Sequence, residues 1–307
     1  MTHPYYTLNQ RMQAVYGHKI RKICVDGGFT CPNRDGTCGV GGCTFCGERG
    51  AGEQLDPTVS IKEQVRRVLT AKPGNEWILY FQNFTNTYAP VEVLRARYDA
   101  ALTDGSIRVL DIGTRPDCID EAVCALLADY AKEREVWVEL GLQTANDRTA
   151  ERIHRGYPLA KFLEAIALLH RYHLPVIVHI IIGLPGETAA DVLHTVEVLN
   201  SCGIDGIKIH SLFVMKGTQL AADYLAGRFT PITAEEYIDT AIRTLTRLDP
   251  ETVVHRMTGN CLRELLLAPD WIMERDRILV AIDRRMQAEG LTQGCFYCQN
   301  ERNSHEA

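Results

Sequence analysis

Several absences narrow the class of this chain before any motif is read. No apolar run approaches the roughly 18 residues that a membrane span needs, so no membrane partner is expected. Residues 1–11 contain no apolar stretch of the secretory kind, so the expected compartment is the reducing cytoplasm. There is no low-complexity tract and no obvious linker. There is no basic excess either. The 33 Lys and Arg stand against 39 Asp and Glu, a net charge of −6, which argues against wholesale coating of nucleic acid but leaves room for a local basic patch. The 46% hydrophobic and 23% charged residues lie near the globular average and exclude disordered and fibrous classes. At about 150 residues per domain, 307 residues make one large domain or two small ones, enough to bury a full core.

What the chain does have is cysteine, eleven in all. Without an export signal, metal or cluster ligation is a better expectation than a disulfide framework. Four of them, Cys31, Cys38, Cys43 and Cys46, fall in one glycine-rich segment directly after the first strand-like run. Cys43 and Cys46 form a CxxC chelate that suits zinc or an iron–sulfur cluster. Spacing alone leaves either Cys31 or Cys38 as the next ligand.

Strand-like apolar runs at 20–25, 77–81, 107–112, 136–140, 176–182 and 204–214 alternate with amphipathic segments at 58–71, 91–102, 119–130, 161–171 and 188–200. This is a βα repeat, and right-handed crossovers turn it into a parallel sheet. Six units suit a partial barrel or an open doubly wound sheet. The barrel is favoured because polar residues recur on one face of three strands: Glu139, Gly141 and Gln143; His179, Ile181 and Gly183; Lys208 and His210. Three strands doing so together suggest a polar lumen around a ligand at their C-terminal ends. The expected organisation is α/β: an N-terminal segment 1–17, a partial (βα)6 TIM-type core 18–230, and a helical C-terminal extension 231–307 packed on it.

The motif series resembles the radical SAM superfamily, in particular its YhcC/YtqA-type group, which is related to the catalytic core of Elp3. The resemblance rests on Cys31-Pro-Asn-Arg-Asp-Gly36 with Cys43-Thr-Phe-Cys46, then Thr114-Arg-Pro-Asp117, Glu139-Leu-Gly with Gln143, Arg152 to Gly156, Gly183-Leu-Pro-Gly-Glu187, Gly206 to His210, and His255-Arg-Met-Thr-Gly259. It covers roughly residues 5–290. It implies a [4Fe–4S] cluster on Cys31, Cys43 and Cys46, with Cys38 left as a loop cysteine. S-adenosylmethionine would bind the open iron and be cleaved reductively to a 5′-deoxyadenosyl radical. Phe45 would pack on the adenine, with Gly183 and Pro185 in a turn that approaches it. Glu139, Gln143 and Arg155 are candidates for the ribose and carboxylate, Arg155 as a bidentate partner. Gln82 and Asn83 stand where the superfamily usually has a GGE stretch for the methionyl amine. Lys208, His210 and His255 are candidates on the substrate side, with Lys216 and Arg256 as further cations.

By the same resemblance the substrate would be the wobble uridine of tRNA, modified toward an aminomethyl-type side chain at carbon 5, with a one-electron donor such as flavodoxin or ferredoxin. An alternative is a protein or small-molecule substrate and an auxiliary metal site built on Cys295 and Cys298, with Cys261 nearby. A structural zinc protein is the third reading; it explains none of the downstream motifs.

Overall fold

The computed structural model describes residues 3–50 and 52–298. The last residues of the expected C-terminal extension, 299–307, lie outside the described residues. Six strands and their helices alternate as the sequence pattern requires. They are β1 Arg21–Asp26, β2 Trp77–Gln82, β3 Ile107–Thr114, β4 Glu135–Gln143, β5 Val176–Ile182 and β6 Gly206–Ser211. The helix α1, Leu8–Tyr16, precedes them. Between them run α2 Ile61–Ala71, α3 Val91–Ala101, α4 Glu121–Ala131, the short α5 Asp147–Arg152 with α6 Leu159–Arg171, and α7 Ala189–Cys202. After β6 come β7 Val214–Met215, α8 Gln219–Leu225, α9 Ala234–Arg247, β8 Val253–Arg256, β9 Leu266–Ala268 and α10 Arg275–Ala288.

The main sheet is parallel, in the order β1-β2-β3-β4-β5-β6-β8, and its two ends do not join. This is an α/β partial barrel. The seventh strand differs from the sequence expectation, because β8 comes from the C-terminal extension and pairs with β6. Its apolar stretch, Val253 and Val254, is too short to register as a strand by pattern. Its pairing comes from tertiary contact: Val253 N donates to Asp205 O, and Val254 N donates to Tyr6 O. The expected run 204–214 also divides: β6 stops at Ser211, and β7 turns away to pair antiparallel with β9.

The outer face of the sheet is a continuous apolar surface. Ile23, Leu79, Ile112, Val138, Val178 and Ile207 meet helix residues such as Val65, Leu94, Leu127, Phe162, Val196 and Leu245. Capping boxes start α7 (Thr188 with Asp191) and α9 (Thr233 with Glu236), satisfying N–H groups that a helix start leaves free.

The inner face is layered, because side chains alternate faces along each strand and the tilt of the strands brings residues from different register rows to one height. At the N-terminal end of the strands the layer is apolar: Ile78, Val109, Trp137 and Ile177. Helix α1 closes that end with Met12, which is fully buried in the same cluster. Its position is fixed by Glu135, which accepts from Arg11 Nη2 at 2.7 Å, Tyr16 Oη at 2.8 Å and Trp137 Nε1 at 3.0 Å. Gln293 ties the two ends of the described chain together there. It donates to Asp249 O and Thr252 O, both at 2.8 Å, and accepts from Tyr6 N at 2.8 Å. Truncating this plug with Met12→Ala is expected to cost about 2–5 kcal/mol, read by urea denaturation of the metal-free protein. A loss below about 1 kcal/mol would show that α1 does not hold the base shut.

Candidate active site

Two residues further along the strands from the apolar layer, the lumen carries charge. Lys22, Tyr80, Asp111, Glu139, His179 and Lys208 come from six consecutive strands. Glu139 is 1% exposed and Lys208 is 3% exposed. The Lys208 ammonium donates to Glu139, and His179 Nε2 lies 2.8 Å from Glu139 Oε2. Lys22 Nζ is 2.7 Å from Asp111 Oδ2 and 3.6 Å from Glu139 Oε1. Both ammonium groups also sit over the Tyr80 ring, at 4.3 and 4.1 Å. Burial opposes ionisation of Glu139, but Lys208 and Lys22 hold its carboxyl well below the usual range. Burial, with Glu139 alongside, pushes Asp111 up to about 7. Burial brings Lys208 down to about 8. It also holds His210, against His179 at a ring separation of 5.2 Å, well below the usual imidazole value and therefore neutral.

A cavity of about 340 Å³ opens above this cluster at the C-terminal strand ends. Cys31, Cys43 and Cys46 all line it. Cys38 does not: it is exposed, with Sγ 3.9 Å from Asp117 Oδ2 on the outer side of the loop. The loop owes its shape to local bonds. Arg34 N donates to Cys31 O, Cys46 N to Cys43 O, and Gly42 N to Asn33 O. Arg34 Nη2 reaches Cys46 O at 3.0 Å. Gly47 leaves room for the Met215 side chain: a Cβ there would lie 2.0 Å from Met215 Cε, so that side chain would have to move. Burial pushes the Cys43 thiol up to about 12 and also raises Cys46. Among the described residues no three His, Cys, Asp or Glu side chains are already drawn to metal-binding distance; the three thiols share a cavity, not a finished cage.

The expected residues Phe45, Gln82, Asn83, Glu139, Gln143, Arg155, Lys208 and His210 reach the same cavity. Phe45 rests on a small apolar cluster that includes Leu184 and Leu212. Asn83 and Phe84 both take left-handed backbone angles, φ 72° and 53°, where β2 ends. The turn is held by Asn86 Nδ2, which donates to Phe81 O, Asn83 O and Gly113 O. Asp26 accepts from Asn83 Nδ2 at 2.9 Å and leaves Asn83 Oδ1 buried with no partner among the described residues. Gln82 Nε2, His210 Nε2 and Glu53 Oε1 are buried without a partner in the same way. Four unpartnered polar atoms around one cavity would each cost free energy in a dry site. They fit a ligand bearing amine, carboxylate and hydroxyl groups beside the thiols.

Other expected residues sit elsewhere or do other work. Arg155 does not offer a fork to a carboxylate. Its guanidinium is 1% exposed and donates to Leu142 O, Thr144 O and Tyr157 O at 2.7, 2.6 and 3.0 Å, and to Asp147 at 3.2 Å. It fixes the end of β4, where a bulge and the left-handed Gln143 (φ 69°) break the alternation. Gly183 and Pro185 do not line the cavity. Gly183 (φ 95°) packs on Ile232, and Pro185 O accepts from Arg152 Nη1 at 2.8 Å. His255 does not join the substrate side: it faces a second cavity at the closed end, edge-on to Trp137 at 5.2 Å. Cys261 is not near Cys295 and Cys298. It lines the thiol cavity, whereas the exposed pair follows Gly294, whose N–H bonds Leu245 O at the opposite end of the barrel. Glu53, Phe84 and Phe213 line the cavity with no periodic or spacing signal in the sequence to announce them.

The Radical SAM superfamily model matches residues 31–199, and the Radical SAM C-terminal domain matches residues 204–288. The chain belongs to the radical SAM superfamily. Members of this family use a [4Fe–4S] cluster and S-adenosylmethionine, and these are the cofactors of this radical SAM enzyme. It is 41% identical over 278 residues to the protein YhcC of Escherichia coli K12, covering 90% of each chain. It is 37% identical to YtqA of Bacillus subtilis, covering 98% of this chain and 95% of the relative. A tRNA uridine(34) acetyltransferase of Dehalococcoides mccartyi is 33% identical over 126 residues, 40% of this chain and 27% of the relative. Among solved structures, the fold is similar to Methanocaldococcus infernus Elp3, with a TM-score of 0.67 at 17% identity. That likeness covers 89% of this chain and 64% of the solved one. Among the described residues no helix is long and apolar enough to cross a membrane.

Proposed function

We propose that this radical SAM enzyme modifies the wobble uridine of tRNA at carbon 5, toward an aminomethyl-type side chain, with Cys31, Cys43 and Cys46 holding the cluster. When bound, the cluster supplies the electron that splits S-adenosylmethionine into methionine and a 5′-deoxyadenosyl radical. The chain's own residues position and enclose the reactants. Phe45, braced from below, offers a flat face to the adenine. Asn83 Oδ1 and Glu53 Oε1 are acceptors suited to an ammonium, and Gln82 Nε2 is a donor suited to a carboxylate. Gln143 stands on the wall for the ribose, and Arg155 holds that wall in place. Lys208 and His210 face the substrate from below, Lys208 anchored by Glu139.

The observation that carries the nucleic-acid reading is the make-up of the walls. Phe84 and Phe213 line a cavity that also contains Arg256 and the unpartnered His210 Nε2. Aromatic faces accept an unstacked base, and polar atoms between them read its edge. The likeness to a tRNA uridine(34) acetyltransferase supports the same substrate class. A cytoplasmic one-electron donor of the flavodoxin or ferredoxin type completes the proposal. Nucleoside mass spectrometry of total tRNA from a strain lacking the gene tests it. The expected result is a lost or truncated wobble-uridine side chain, restored by the intact gene and not by a Cys43→Ala version. An unchanged nucleoside profile sends the same chemistry to a protein or metabolite substrate.

A further inference from the structure

Asn33 lies two residues after Cys31 and is 4% exposed. Its side-chain nitrogen lies 2.6 Å from His154 O, 3.4 Å from Arg155 O and 3.7 Å from Cys43 Sγ. An amide nitrogen carries two hydrogens, so the carbonyls and the sulfur share them. The amide is locked in that orientation. Its oxygen lies where a Cβ at Gly39 or Gly156 would come within 2.4 or 2.9 Å, and both positions are glycine. Behind it, Arg115 Nη1 donates to Arg155 O at 2.9 Å, the carbonyl that Asn33 also reaches. The Arg115 and Arg155 guanidinium groups both stack on Tyr157, at 4.8 and 4.6 Å. A rigid, buried wall of donors and positive charge therefore backs the Cys43 sulfur.

We infer that Asn33 is a positioning residue that sets the reduction potential of the cluster, through an N–H···S bond to Cys43. This rests on the reading of Cys43 as a cluster ligand. Reduction adds one electron, much of whose charge falls on the sulfurs. A hydrogen bond to a ligand sulfur stabilises that reduced state more than the oxidised one. In a buried site the effect is screened little by solvent. Asn33 therefore makes the cluster easier to reduce, and it also ties the ligand loop to the turn that carries Arg155.

The test uses anaerobically reconstituted full-length protein and EPR-monitored potentiometry. Asn33→Ala removes the donor without adding charge, and Asn33→Asp keeps the shape but replaces the donor with an acceptor. Both are expected to keep the iron content and to shift the midpoint to more negative potential, Asn33→Asp further than Asn33→Ala. Pulsed EPR on reduced wild-type protein labelled with [15N]asparagine is expected to show a nitrogen coupling that Asn33→Ala lacks. An unchanged midpoint with a full cluster overturns the inference, and so does an absent 15N coupling in the wild type. If neither variant holds a cluster, an absent 15N coupling in the wild type still overturns the inference. A Cys43→Ala protein that retains the whole cluster overturns the ligand reading itself, and this inference with it.

Discussion

Cys43→Ala protein, reconstituted anaerobically with iron and sulfide, comes out colourless, with about four fewer irons per chain than the wild type. It cleaves no S-adenosylmethionine. The expected effect is all-or-none because the ligand reading gives the cluster three thiolates, and two leave it a second open iron; Cys24 and Cys261 also line the cavity but lie outside the ligand loop 31–46. Cys38→Ala is the matching control. Its thiol is exposed and turned toward Asp117, so colour, iron content and cleavage should all survive. Absorbance, iron assay and product chromatography read both variants. If Cys43→Ala keeps its colour, or Cys38→Ala loses it, the ligand assignment fails.

Glu139→Gln is the second large effect, and it acts on folding. Glu139 joins Lys208, His179 and Lys22 in the lumen, and none of its side chain reaches solvent. Removing its charge leaves Lys208 buried beside a second cation, while Asp111 remains engaged with Lys22. Breaking a buried pair in this way costs about 3–5 kcal/mol. Replacing both partners, Glu139→Leu with Lys208→Met, should recover much of that loss, because it leaves no orphaned charge. Urea denaturation of metal-free protein reads both variants, and a single-variant cost under about 1 kcal/mol would show that the pair does not hold the lumen together. The pH dependence has a defined sign. Burial brings Lys208 down to about 8, below an ordinary lysine, so the unfolded chain binds the extra proton. Stability linked to this group therefore rises as pH climbs from about 8 into the usual lysine range. With Glu139 gone the rise should begin at lower pH.

The βα rhythm was readable because its strands carry long apolar outer faces, and period alone marks them. Val176–Ile182 has the limits expected of it. The polar lumen was readable too, since Glu139, His179 and Lys208 alternate with apolar neighbours. What escaped was set by tertiary contact. β8 has two apolar residues and becomes a strand only because β6 and Tyr6 supply its partners. Arg155 reads in sequence as a free cation, but the carbonyls that consume it come from a bulge that period cannot reveal. His255 and Arg256 are adjacent in the sequence, yet the register shift where β8 meets β6 sets them at different depths: Arg256 reaches the thiol cavity and His255 the closed end. Cys261 and Cys295 are both late in the chain, and only the direction of β8 tells that they lie at opposite ends of the barrel.

The plug at the base has a mechanical consequence. Met12 and its apolar layer bind together the starts of strands that never close into a ring. An unclosed sheet pinned at one end behaves like a hand fan held at its rivet. Any widening that admits a bulky polymer must splay the free tips, while the rivet stays put. The thiol cavity sits at those tips, so the radius of the mouth and the grip on the reactants change together.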